Sequence, residues 1–430
     1  MKNKLYYGDN LDVLRKYIKD ESVDLCYIDP PFNSKRNYNQ IYNNVGKEDK
    51  ARAQAFVDTW TWDDEANQGL REIQSNFNGV FTSQSIDLID GLTKVLKKGS
   101  LLAYLVSMTL RIAEIHRVLK STGSFYLHCD PTASHYLKLI LDALFCPRGG
   151  EFRNEIVWCY ATPSGAKNKF PSKHDVIFFY TKSQQYIFHS QHIPHKSGLH
   201  NTGQAWQKTD GDNDYVRNLE KLGKKVEDWW IDIYPVDRLR REISGYPTQK
   251  PEALLERIIK ASSDENAVIL DAYCGCGTTI AVAEKLKRNW IGIDITYQSI
   301  SLILKRLAEQ TPVALDTLEI NGVPKDFESA VALANKQDDR TRKEFEKWMV
   351  LTYSRNQAVI HEKKGGDAGI DGIAYLPDRN DRGELENRKV LFSVKSSAKL
   401  SPAVIRELNG TIERENAVCG ILLTLHQCPI

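Results

Sequence analysis

Apolar residues in this chain fall into short runs broken by polar turns, and the runs alternate between the periods of strands and helices. Val23–Ile28 is β-branched and aromatic and reads as a buried strand. The pattern predicts a helix near 107–120, a strand at 124–128, a helix from about 132 to 145 and a last core strand at 175–180. Residues 267–295 read as strand, glycine-bearing turn, helix and strand. This alternation argues for an α/β fold with a parallel sheet covered by helices. Residues 33–80 lack a clean period and read equally as a surface excursion or as a loop that closes over a substrate. Residues 182–245 are polar, glycine-bearing and weakly periodic. From about Lys325 the character changes to a helix around Phe345–Trp348, a glycine-rich turn at 365–372, and strands that include 390–395 and 419–425.

A chain of 430 residues has room for two or three domains with cores of their own. No run of eighteen apolar residues and no signal h-region appear, so no membrane segment is expected. Eight scattered cysteines in such a chain point to a reduced, cytoplasmic setting. Net charge of +2 excludes a blanket electrostatic grip on nucleic acid, leaving local patches and shape. Five of the ten histidines lie in 174–200, where a solvated loop is favoured over a zinc site.

The chemistry concentrates in two places. Asp29-Pro30-Pro31-Phe32 follows the first strand, and the two prolines stop the ladder. A carboxylate and an aromatic ring are thereby set at a sheet rim, where open α/β sheets bind ligands. Acceptors beside a flat ring suit a planar base carrying an amino group. The second place is Asp271-Ala272-Tyr273-Cys274-Gly275-Cys276-Gly277-Thr278-Thr279, followed 23 residues after Asp271 by Asp294. Gly275 and Gly277 permit a tight turn with close ligand approach, and Asp294 stands at the spacing of a ribose-binding carboxylate. Neither a third glycine nor a Gly-Lys-Ser/Thr follows, so a nucleoside without a pyrophosphate fits better than a dinucleotide. Cys274 and Cys276 read as small packing residues of this turn.

Taken together, these motifs resemble the amino-methylating DNA methyltransferases of the subclass in which the catalytic motif precedes the cofactor motif. Tyr7-Gly8-Asp9-Asn10, the stretch Leu119–Asp130, Phe170–Asp175 and Tyr246-Pro247-Thr248-Gln249-Lys250-Pro251 are similar to further family motifs, so the resemblance spans roughly residues 1–310. Ala272, Tyr273 and Cys276 depart mildly from the usual pattern. The resemblance implies a Rossmann-like sheet in permuted motif order that binds S-adenosylmethionine and methylates double-stranded DNA. It places Asp29, Pro30, Pro31 and Phe32 at the target base, and Asp9, Asp271, Tyr273, Gly275, Gly277, Thr278, Asp294 and Lys250 at the cofactor. Asp9 is expected on the cofactor adenine amine and Lys250 near its methionine carboxylate. An Asp-headed motif favours adenine N6. N4-cytosine, a bifunctional methyltransferase–nuclease, an RNA methyltransferase and a non-catalytic DNA-binding relative stand as alternatives.

The expected division is a catalytic half (1–181), a target-recognition region (182–245), a cofactor half (246–310), a linker (311–335) and a C-terminal domain (336–430). That last part resembles the Mrr-like restriction-endonuclease-like α/β fold, and its end just after a strand raises truncation as an expectation. The likeness implies Asp371 and Glu346 as Mg²⁺ ligands with Lys395 as catalytic lysine. Ser393 stands where Gln or an acid is expected, so a DNA-binding domain without cleavage competes with an active nuclease and with a packing domain. A homodimer is compatible with the sequence.

Overall fold

The computed structural model describes residues 2–32, 36–41, 52–58, 60–160, 167–194, 223–236, 242, 246, 248–311, 314–324, 330–331, 334, 339–354, 357–360, 369–379, 385–396 and 401–425. Its strands begin with β1 (Lys4–Tyr7), β2 (Val23–Ile28), β3 (Arg36–Ile41), β4 (Arg52–Asp58), β5 (Leu119–Cys129) and β6 (Glu151–Cys159). They continue with β7 (His174–Thr181), β8 (His192–Ile193), β9 (Lys224–Lys225), β10 (Trp229–Trp230), β11 (Val268–Asp271) and β12 (Asn289–Asp294). The last are β13 (Glu319–Asn321), β14 (Val359–Ile360), β15 (Gly372–Arg379), β16 (Leu385–Lys395) and β17 (Cys419–Thr424).

Nine strands make one sheet in the order β10, β6, β7, β5, β2, β11, β12, β1, β13. The expected permutation is realised: β2 and β11 lie far apart in sequence, yet they pair in parallel, Ile269 against Leu25. Helices cover both faces, and successive residues supply opposite cores. Cys26 and Ile28 pack with helices Asn10–Tyr17, Ser100–Val118 and Ser134–Phe145, whereas Leu25 and Tyr27 pack with Glu252–Ser262 and Tyr297–Gln310. A strand buried on both sides is largely apolar, which explains why Leu25–Ile28 shows no alternation; Asp24 near the strand start is paired with Lys120.

The sheet is mixed rather than parallel, because β7 runs antiparallel to both β5 and β6. Antiparallel neighbours need no helical crossover, so strand–helix alternation alone gave no warning of it. Within residues 33–80, β3 and β4 pair antiparallel and a helix spans Asp64–Ser75, elements that the sequence pattern did not announce. The stretch expected as a linker supplies β13, which extends the sheet beside β1. From the recognition region, β10 joins the opposite edge beside β6. β8 pairs with β9 in a separate two-stranded sheet. Trp206, His195 and His200 lie outside the described residues.

Strands β14, β15, β16 and β17 form a second sheet, antiparallel except for the parallel pair β16–β17. Helix Asp339–Tyr353 buries Phe345 and Val350 against Val390 and Phe392 of this sheet. The same helix meets the cofactor half. Glu344 accepts a 2.9 Å hydrogen bond from the Tyr297 backbone N–H, at the first turn of helix Tyr297–Gln310.

Candidate active site

Three carboxylates stand at the carboxyl ends of three adjacent parallel strands: Asp29 just past β2, Asp271 closing β11 and Asp294 closing β12. Ile28, Leu270 and Ile293 immediately precede these carboxylates, so each acid stands where an apolar stretch of its strand ends. This is the rim at which α/β sheets bind ligands. The fold thus joins the Asp29–Phe32 motif and the glycine turn, which are more than 240 residues apart in sequence. A separate surface cleft, lined partly by His189, Lys260 and Arg288, opens near the amino ends of β11 and β12, on the far rim from this chemistry.

The glycine turn is built from its own backbone bonds. Gly275 and Gly277 have φ of +47° and +77°, in the left-handed region. A Cβ on Gly277 would come within 2.6 Å of Ile303 Cγ1, so helix Tyr297–Gln310 also requires glycine there. Asp294 braces the turn, accepting from the Gly275 N–H at 2.9 Å with one oxygen and from the Thr296 N–H and hydroxyl at 2.9 and 3.0 Å with the other. Burial raises its carboxyl pKa, while these hydrogen bonds oppose the rise. Asp271 accepts from the Tyr273 N–H at 3.0 Å and is pushed up to about 7, mainly by burial and further by the charges of Asp29 and Asp294. It lies beneath the turn and is nearly inaccessible. The Thr278 hydroxyl, at the start of helix Thr278–Lys285, accepts from Arg306 at 3.2 Å. Burial raises the Cys274 thiol well above its ordinary range, in keeping with a packing role.

Asp9 caps helix Asn10–Tyr17, accepting from the Leu11 N–H at 2.9 Å, and pairs with Arg111 at 2.9 Å. Arg111 also donates to Asn10 at 2.6 Å, and Asn10 donates to the Ala272 carbonyl at 2.8 Å. This clasp ties the end of β1 to the residue after β11. The Tyr273 hydroxyl points to Met108 Sδ, 3.7 Å away.

At the other end of the site, Lys250 meets the Asp29–Phe32 motif. Its ammonium is ion-paired with Asp29 and lies 5.4 Å over the centre of the Phe32 ring. The local cause is a short strap. Tyr246 packs against Gly275, and Pro251 then opens helix Glu252–Ser262, so Thr248–Lys250 lie between the glycine turn and the end of β2.

Beneath Phe32 lies a polar network to which the sequence gave no role. The Phe32 and His128 rings stack at 6.0 Å. Fully buried His128 meets the Tyr27 hydroxyl at 2.9 Å through Nδ1 and Asp175 at 3.1 Å through Nε2, and the Tyr160 hydroxyl donates to Asp175 at 3.1 Å. Burial acts to raise the Asp175 carboxyl, but the hydrogen bonds and the charges of His128 and Lys250 win and hold it below its ordinary value. The available signal was polar residues at the ends of apolar strands: His128 near the end of β5 and Asp175 at the start of antiparallel β7 share one rim.

In the C-terminal domain, Asp371 accepts a 2.6 Å hydrogen bond from the Val394 N–H, and Ser393 is buried. Among the described residues no group of three His, Cys, Asp or Glu side chains is arranged to hold a metal ion. Of the set expected there, Asp371 stands just before β15, Lys395 ends β16 and Glu346 lies on helix Asp339–Tyr353. Also among the described residues, no helix is long and apolar enough to cross a membrane.

The chain matches a family model described as DNA methylase over residues 23–305 and a second described as restriction endonuclease over 338–428. The DNA adenine methyltransferase YhdJ of Escherichia coli (strain K12) is 31% identical over 309 residues, covering 70% of this chain and 82% of that protein. The type II methyltransferase M.BglII of Bacillus subtilis is 28% identical, covering 70% and 69%. Among solved structures, M1.HpyAVI in complex with SAM is 16% identical, with a TM-score of 0.39 over 71% of this chain and 98% of that one. The chain belongs to the N6/N4 DNA methylase family, as an S-adenosylmethionine-dependent DNA methyltransferase that carries a restriction-endonuclease domain of the Mrr type.

Proposed function

We propose that this protein methylates the exocyclic N6 of adenine at a specific site in duplex DNA, as part of restriction–modification. The observation that carries the reading is Asp29 held at the end of β2 beside the Phe32 ring. The described part of the recognition region adds exposed Trp229, Ile231 and Tyr234 beside Lys224 and Lys225, a mixture suited to phosphate and base contacts. The 31% identity to an adenine methyltransferase favours adenine over cytosine.

The cofactor supplies a methyl group on a sulfonium, so the leaving group is already activated. For the cofactor, Asp294 would hold the ribose hydroxyls by exchanging its turn hydrogen bonds, and the Gly275–Gly277 backbone would pass close to the methionine part. Asp9 and Tyr273 would line the adenine side, and the first turn from Thr278 would face the carboxylate. Asp271 acts under the turn rather than on the ligand.

For the base, the difficulty is an amine whose lone pair is delocalised into the ring. Asp29 and the Pro30 carbonyl accept its two N–H bonds and turn the lone pair outward. Asp29 also stabilises the positive charge that develops on nitrogen. Phe32 stacks on the extruded base, offsetting part of an unstacking cost of a few kcal/mol. Positioning is the main source of catalysis in this scheme, so sub-ångström displacements are expensive.

The test is nucleoside mass spectrometry of DNA from cells expressing wild type or Asp29→Ala. N6-methyladenine present only with wild type supports the reading. Equal amounts in both overturn it, and N4-methylcytosine in its place would select the alternative. For the C-terminal domain we propose DNA binding without cleavage, on the ground of Ser393. Mg²⁺-dependent plasmid nicking abolished by Lys395→Ala would overturn that part.

A further inference from the structure

The Lys250 ammonium makes the contacts that the reaction asks of a target amino group. It donates to Asp29, lies over the Phe32 face, and carries the positive charge that the amine acquires during methyl transfer. The pair is largely withdrawn from solvent, with side-chain exposures of 11% for Lys250 and 17% for Asp29. A carboxylate in such a place loses a donor only in exchange for an equivalent one. The Lys250 ammonium lies both on Asp29 and over the ring face on which the base would stack, so the target amine cannot take that place while the ammonium holds it. A further carboxylate stands on the same rim: Asp175, bonded to His128, whose ring stacks with Phe32, and to the Tyr160 hydroxyl.

We propose that Lys250 is a placeholder in the target-base pocket, whose ammonium occupies the amino position at Asp29 until the extruded base displaces it toward Asp175. The proposal rests on Asp29 and Phe32 forming the base pocket, and it holds for adenine or cytosine alike. Base insertion in the wild type then carries the work of breaking the Lys250–Asp29 pair.

The test uses the full chain and duplexes carrying the methylated site, mapped by sequencing of an expression host. Dissociation constants are measured for the intact target and for the same duplex abasic at the target position. The ratio of abasic to intact isolates the contribution of the base and cancels any general loss of phosphate attraction. Lys250→Met is expected to raise this ratio about tenfold, equivalent to about 1.4 kcal/mol. Lys250→Gln, which keeps a donor without charge and guards against misfolding of the first variant, should raise it less. Lys250→Arg should leave it near wild type. S-adenosylmethionine affinity, measured by calorimetry, is expected to stay within about twofold in all three, since the ammonium is engaged at Asp29. An unchanged ratio in both Lys250→Met and Lys250→Gln overturns the proposal. Weakened cofactor binding with an unchanged ratio would return Lys250 to the cofactor carboxylate. Wild type that methylates no base would instead defeat the functional reading on which the proposal stands.

Discussion

Asp271 provides a sharp quantitative test of the site's electrostatics. It is buried beneath the glycine turn, with Asp29 and Asp294 as charged neighbours, and its carboxyl is pushed up to about 7 from an ordinary 3.8. A carboxyl that titrates higher when folded favours the folded state while protonated and loses that advantage as pH rises. Between 3.8 and about 7 the folded protein binds more protons than the unfolded chain, so stability must fall with rising pH. At ~1.36 kcal/mol per pH unit, the loss is about 2 kcal/mol by pH 5 and about 4 kcal/mol by pH 8. Asp271→Asn keeps the shape and the oxygen that accepts from the Tyr273 N–H, but it cannot ionise. The variant should therefore gain about 2 to 3 kcal/mol on wild type between pH 5 and pH 8. Comparing the two proteins cancels the other titrating groups, including Asp294, which acts in the same direction, and Asp175, which acts oppositely. The assay is urea unfolding at a series of pH values, followed by hydrogen exchange of peptides spanning β11 and β12, which separates this sheet from the C-terminal domain. A constant offset between variant and wild type across that range would refute the burial argument.

Three further outcomes are expected. Gly277→Ala adds a left-handed alanine and a clash with Ile303, costing roughly 2–4 kcal/mol; a lower melting temperature with weaker S-adenosylmethionine binding is the predicted result, and an unchanged melting curve would contradict it. Asp175→Asn removes the anion that orients His128 under Phe32, so kcat should fall tenfold or more, on the order expected for a misplaced reactant, while cofactor affinity holds; a purely structural role would lower both together. Glu344→Ala deprives helix Tyr297–Gln310 of a cap from the C-terminal domain and should destabilise the protein by about 1–2 kcal/mol. Because Thr296 at that helix start holds Asp294, calorimetry should also show weaker cofactor binding; equal affinity would uncouple the two domains.

Much of the architecture is written locally. The apolar run Leu25–Ile28 specifies a strand buried on both faces, the prolines after Asp29 stop it, and the left-handed turn at Gly275 and Gly277 needs glycine whatever surrounds it. Those features, with Asp294 at its spacing, made both halves of the site legible and located them at strand ends. The strands β3 and β4, the short strand β1 and the edge strands β10 and β13 gave weaker signals, because two to seven residues of modest hydrophobicity carry too little pattern to stand out. The antiparallel course of β7 left no periodic trace either, since its residues alternate between the two cores as those of its neighbours do.

By itself, then, the sequence determined which segments become strands and helices, where each ladder must stop, and which residue types wait at those stops, because these follow from sterics and side-chain burial within a few residues. Tertiary structure alone decided the partners. Lys250 meets Asp29, His128 meets Asp175 and Glu344 meets Tyr297 across 221, 47 and 47 positions of chain. Contacts of that kind depend on how the strands are ordered and how the Tyr246–Pro251 strap crosses between them, and the energy of a charge depends on how much water the assembled fold leaves around it.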